Sequence, residues 1–159
     1  MGAGDSWAQG AAIFEIGHRW GAYTLHVGVR CRFGGLESEE LALLDTGAEW
    51  SVVNGELAEQ AGDMSSIGES IRISSRLGLL DGTLHRTDIH LVCDRGQGLT
   101  VDGTVLVVPD WPGPPVLGYR GLLEHMRFAL DPGGAPNEPW FYFGMPGSED
   151  DPDPRLLTG

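Results

Sequence analysis

Along residues 23–33, YTLHVGVRCRF, the apolar Tyr23, Leu25, Val27, Val29 and Cys31 alternate with Thr24, His26, Gly28 and Arg30. A period of two with one apolar face is the mark of a half-buried strand. A shorter strand, AAIFEI (11–16), precedes it, and Gly34-Gly35 turns the chain into a third, ESEELALLD. After Val53, NGELAEQAG opens on an Asn cap and closes on a glycine, which predicts a helix of about two turns. Residues 69–93 read as a long hairpin. ESIRISSRL rises, Leu80-Asp81-Gly82 turns, and TLHRTDIHLVC returns, with Ile71, Ile73, Thr87, Ile89 and Leu91 in alternation. Its tip, 77–82, combines glycines with leucines, a composition suited equally to an ordinary surface hairpin and to a mobile segment that covers a site.

The second half continues in the same style. GLTVDGTVLVVPDW (98–111) predicts another hairpin, with Asp102-Gly103 as the turn dipeptide and TVLVV as a fully buried strand. Pro112, Pro114 and Pro115 then bar regular structure until VLGYRGLLEHM, whose last part has helical character. FAL returns to strand, DPGGAPNEP is a loop, and WFYF is a final strand. About eight or nine strands, one or two short helices and no βαβ alternation predict an all-β chain folded as a closed or nearly closed barrel. Length makes the 159 residues one domain. Residues 1–19 read as an N-terminal extension with room for an edge strand, 20–145 as the domain itself, and the acidic, proline-punctuated 146–159 as a disordered tail.

Charge narrows the partners. The formal net charge is −13, and the ten basic residues are all Arg, so nucleic acid and anionic membrane are poor partners. No apolar run approaches the roughly 20 residues of a membrane span, and MGAGDSWAQG lacks the basic and apolar regions of a signal peptide. Gly2 and Ser6 satisfy the loose myristoylation pattern, which is short and common. The expected setting is cytoplasmic. Cys31 and Cys93 sit in strand-like segments without CxxC spacing, so two buried thiols are expected rather than a long-range disulfide.

The chemistry concentrates in LALLDTGAEWSVV (41–53), where Asp45 stands between two apolar strand-like runs. A carboxylate buried there must pair, ligate a metal or shift its pKa. Metal ligation lacks companions: His85 and His90 are five apart in a strand and face opposite sides, and His18, His26 and His125 have no ligand-spaced neighbours. No G-x-S-x-G occurs and Ser51 sits in no nucleophile elbow. A cysteine nucleophile would need an electropositive setting in a chain that is acidic. Neither a metal nor an organic cofactor is expected. Carboxylate chemistry remains, in which two acids held close share one proton between a base and an acid. Asp45 would supply a carboxylate, the Thr46 hydroxyl would bond backbone across a symmetry axis, and Gly47 would let chain and substrate approach.

Residues 43–48 and 116–123 resemble the two signature segments of retropepsin-like aspartic proteases. In that family an apolar strand leads into D-[ST]-G-A, and a later apolar-apolar-Gly segment, here VLG (116–118), precedes a short helix, here GLLEHM. The order of the other pieces is also similar: an N-terminal hairpin, the DTG strand, a flap hairpin, a buried strand and then VLG. The last part, RFALD to WFYFG, is similar to the paired end strands of the eukaryotic ubiquitin-shuttle relatives, where a hairpin builds the dimer interface. The resemblance covers roughly residues 20–144.

The resemblance implies a retropepsin-like closed β barrel with a flap hairpin, and an endopeptidase that hydrolyses peptide bonds without metal or cofactor. Only one D-[ST]-G is present, since DPGG (131–134) has Pro132 in place of the hydroxyl residue. The enzyme would therefore be a homodimer, with Asp45, Thr46 and Gly47 of each subunit meeting on a two-fold axis. Ala48, Glu49, Trp50, Val52, Leu79, Leu80 and Trp111 would line the pockets for a peptide or protein substrate, and Leu117, Gly118 and Arg120 would support the catalytic loop. The chain departs from viral members at Glu49, where they usually carry Asp, at Trp50, where a polar residue is common, and at Tyr119, which separates the glycine from Arg120. Glu49 and Arg120 are nonetheless expected to pair. Two other readings stand beside the enzyme: a catalytically silent dimer of the same fold that binds a peptide or protein partner, and a monomeric β domain in which a buried Arg neutralises Asp45.

Overall fold

The structure is a computed structural model and is described for residues 7–17, 26–75, 78–133 and 137–146. Tyr23 and Leu25 at the head of the second predicted strand, and nearly all of the acidic tail, lie outside those residues. The strands are β1 (Gly10–Ile13), β2 (Glu15–Gly17), β3 (His26–Phe33), β4 (Glu40–Leu44), β5 (Ser51–Val53), β6 (Ser65–Ser75), β7 (Gly78–Leu91), β8 (Arg95–Gly96), β9 (Leu99–Val107), β10 (Val116–Leu117), β11 (Arg127–Asp131) and β12 (Trp140–Gly144). One helix, α1 (Gly55–Ala61), and a 3-10 turn (Leu123–His125) complete the described elements.

Six strands close a barrel. β3 pairs antiparallel with β4, β4 parallel with β10, β10 antiparallel with β5, β5 parallel with β9, β9 antiparallel with β7, and β7 returns antiparallel to β3. Closure removes the unpaired edges that an open sheet of this size would leave. Phe33, Ile89, Val105, Leu117 and Leu122 fill the interior with almost no solvent contact. A second sheet, in the order β11-β12-β1-β8, contributes Phe141 and Phe143 to the same core. Of the two strands in the predicted N-terminal extension, β1 therefore sits between β12 and β8, while β2 takes an edge of the larger sheet beside β3.

Helix α1 begins and ends where the sequence predicts. Asn54 Oδ1 accepts from the Leu57 amide at 2.8 Å, and Gly62 closes the helix in the left-handed conformation at φ 69°.

Two predicted turns are strand interior instead. Asp102 and Gly103 lie within β9, opposite Asp88 and Thr87 of β7. Asp102 is engaged by Arg86, 2.5 Å away across the strands, and a Cβ at residue 103 would stand 2.7 Å from the Gly121 carbonyl oxygen. The glycine therefore admits a neighbouring chain rather than turning its own. Likewise Leu80-Asp81-Gly82 belongs to β7, and the chain reverses between Ser75 and Gly78, which pair. The Arg72–Asp81 ion pair at 2.8 Å and the Ile73–Leu80 pair hold that register.

β7 has two halves. From Thr83 to Leu91 it pairs with β9 inside the barrel, whereas from Gly78 to Gly82 it pairs with β6. The outer half is a hairpin arm that extends beyond the barrel wall. Beneath it lies a second, smaller apolar cluster of Val52, Leu84, Leu106, Val108 and Val116. Among the described residues no helix is long and apolar enough to cross a membrane, and Cys31 and Cys93 are both free thiols.

Candidate active site

Strand β4 ends at Leu44, and the next residues form a tight loop at the end of the barrel. The Ala48 amide donates to the Asp45 carbonyl at 3.1 Å, and the Gly47 amide donates to Asp45 Oδ1 at 2.9 Å. An aspartate whose side chain accepts from the amide two residues on makes its own turn, so the carboxylate is aimed by local chemistry alone. Asp45, Thr46 and Gly47 are all exposed. This corrects the expectation of a buried carboxylate. The flanking runs are strands β4 and β5, but among the described residues none buries the loop between them.

The segment after the prolines reaches this loop from the other side. β10 lies between β4 and β5, with Leu117 opposite Leu44 and Val116 opposite both Leu43 and Val52. Four hydrogen bonds then join the two segments residue by residue. The Asp45 amide donates to the Leu117 carbonyl at 3.0 Å, the Tyr119 amide to the Ala48 carbonyl at 2.9 Å, and the Arg120 amide to the Glu49 carbonyl at 2.7 Å. The Gly118 amide donates to Ser51 Oγ at 2.9 Å. A Cβ on Gly118 would fall 2.3 Å from the Trp50 carbonyl oxygen, so no other residue fits there without moving the chain.

Glu49 and Arg120 pair as the sequence predicts, Arg120 Nε lying 3.2 Å from Glu49 Oε1. The same guanidinium carbon stands 6.0 Å from the centre of the Trp50 ring, at the outer limit of a cation–π contact. Glu49, Trp50 and Arg120 thus form one unit, with Arg120 serving both of the others.

The expected pocket residues divide. Ala48, Trp50, Leu80 and Trp111 are half-buried against the smaller apolar cluster, between the loop and the hairpin arm. Trp111 is fixed there, its Nε1–H donating to the Pro114 carbonyl at 2.9 Å. Val52 is itself a member of the cluster and is 5% exposed, so it supports the surface from beneath instead of forming it. Leu79 and Leu80 are consecutive in a strand and point to opposite faces. Leu80 packs inward, and Leu79 is 66% exposed, away from the cluster.

Ser51, which sits in no nucleophile elbow, is instead the acceptor for the Gly118 amide. It is fully buried, at 0% exposure. Its signal was available: a hydroxyl residue set between Trp50 and Val52-Val53, in a strand otherwise apolar, needs a partner inside.

No family model and no curated protein matches the chain. Solved structures do. The chain is 16% identical to a retropepsin-like aspartic protease from Rickettsia conorii over 84% of its own length and 96% of that chain, with a TM-score of 0.44. It is also 16% identical to the retroviral protease-like domain of Ddi1 from Leishmania major, over 78% of its own length and 96% of that chain, with a TM-score of 0.40.

Proposed function

We propose that the chain is an aspartic endopeptidase that works as a homodimer, each subunit giving one Asp45 to a shared dyad. The observation that carries the reading is the Asp45 loop itself. A D-T-G-A turn aims a carboxylate outward, is bonded to the Leu117–Arg120 segment, and lies below a hairpin arm with an apolar underside. A carboxylate left exposed by the described residues suits a site completed by a second copy.

In this mechanism one Asp45 is ionised and acts as general base on a bound water. Its twin carries a proton, polarises the scissile carbonyl and then protonates the leaving amine. Two carboxylates at contact cannot both ionise, which supplies the shared proton. An extended peptide lies between the dyad and the two arms, with alternate side chains against Ala48, Trp50, Leu80 and Trp111. No metal or organic cofactor takes part. Cys31 and Cys93 remain thiols in a cytoplasmic setting.

The test compares the wild type with Asp45→Asn on a diverse peptide mixture from about pH 3.5 to about pH 8, with products identified by mass spectrometry. Cleavage by the wild type alone supports the dyad. Cleavage by neither, with a dimer in solution, favours the peptide-binding dimer instead. Equal cleavage by both removes Asp45 from the mechanism.

A further inference from the structure

The bonds that join the Asp45 loop to the segment after β10 are not all of one kind. Those from the amides of Asp45, Tyr119 and Arg120 run from backbone to backbone. The bond from Gly118 ends on a side chain, Ser51 Oγ. The chains are close where Gly118 passes, with the Trp50 carbonyl oxygen 2.3 Å and the Ala48 oxygen 2.9 Å from where its Cβ would stand, and its amide turns to the Ser51 hydroxyl. The Gly118 amide would be left without an acceptor in a site closed to water, and Ser51 supplies one from the adjacent strand at 0% exposure.

We infer that Ser51 is a positioning residue for Asp45, acting through Gly118; in its catalytic form this rests on the proposed protease reading. The path is short. Ser51 Oγ holds the Gly118 amide, the preceding Leu117 carbonyl accepts from the Asp45 amide, and the following Tyr119 amide holds the Ala48 carbonyl. Both ends of the D-T-G-A turn are therefore tied to the two neighbours of the residue that Ser51 fixes. Its hydroxyl sets the height of the carboxylate against the barrel rim, and with it the distance to a partner carboxylate.

The experiment uses the full chain with Ser51→Ala and Ser51→Thr, and reads both turnover and backbone amide exchange. Ser51→Ala is expected to lower kcat by about tenfold or more while KM stays within about threefold, because misplacing a reacting group acts on the transition state and spares binding. Ser51→Thr, which keeps the hydroxyl, is expected to restore most of kcat. In Ser51→Ala, exchange should quicken at Gly118 and also at Asp45, Ala48, Tyr119 and Arg120. An unchanged kcat in Ser51→Ala overturns the inference, as does a loss seen only in KM. So does exchange that quickens at Gly118 alone, because Ser51 would then serve only its own bond. If the wild type cleaves no peptide, the protease reading fails separately. The spread or confinement of exchange then decides whether Ser51 holds the Asp45 turn.

Discussion

Arg120 meets Glu49 twice: its amide donates to the Glu49 carbonyl at 2.7 Å, and its guanidinium Nε stands 3.2 Å from the Glu49 carboxylate. The backbone contact fixes the two segments, so the side-chain contact is free to set the orientation of the surface beside Asp45. Both side chains are more than half exposed, at 59% and 64%.

Exposure of that kind predicts a small effect on stability and a larger one on function. Glu49→Arg and Arg120→Glu should each change unfolding free energy by less than about 1 kcal/mol, as exposed ion pairs do. Each should lower peptide cleavage, and the double reversal should recover most of it. Additive losses in the double variant would mean that the pair does not act as a unit.

Gly118 carries a steric prediction. Gly118→Ala would place a methyl group on the Trp50 carbonyl oxygen, a backbone atom that cannot rotate away. A cost of about 3 kcal/mol is expected in urea unfolding, with cleavage lost in whatever fraction remains folded. A variant of wild-type stability would show that the two segments separate easily, and would weaken every argument that rests on their bonding.

The periodic parts of the fold were legible in the sequence, and the close approaches were not. Alternation marked β3 and β7, and the Asn54 and Gly62 signals marked α1, because these depend on residues near in sequence. Gly103 read as a turn because Asp-Gly is a turn dipeptide. What overrode it was Gly121, distant in sequence, whose carbonyl needs the room. Short strands such as β8 and β10 carry too few residues for any period, which is why the described residues hold twelve strands where the pattern predicts about eight or nine. At the site, D-T-G-A and V-L-G were readable as motifs, and the Glu49–Arg120 pair followed from them. That Asp45 lies exposed, and that Leu79 faces away from Leu80, depended on where the loop leaves the barrel and where the hairpin reverses. Local pattern fixed neither.

Asp94 joins the second sheet to the barrel, and its acidity gives a pH prediction. Its carboxyl is held below the usual carboxylate range, first by the Ile13 amide, which donates to Oδ2 at 2.8 Å; burial works against this, and Arg30 adds to the lowering. A carboxyl whose pKa is lower folded than unfolded stabilises the fold above the unfolded value of about 3.9, and that contribution fades as pH falls through the folded value. Asp94→Asn should therefore be less stable than wild type near pH 6, with the gap narrowing toward about pH 2. Urea midpoints across that range check it. A gap independent of pH would assign the loss to packing instead.

Self-association should depend on acidity and on salt in a linked way. Each chain carries a formal charge of −13, so a dimer at neutral pH brings together twice that amount. Repulsion opposes association, and protonating carboxylates relieves it. The dimer fraction measured by sedimentation should rise as pH falls from about 8 toward about 5, and cleavage should rise with it. Salt provides the control, because it screens charge without protonating the dyad: the screening length falls from about 10 Å at 0.1 M to about 3 Å at 1 M. Salt at pH 8 should then restore the dimer while leaving cleavage below its value at lower pH. If salt restores neither, long-range repulsion does not limit assembly. If salt restores both fully, the pH dependence lies in association alone and the dyad's shared proton does not govern the rate.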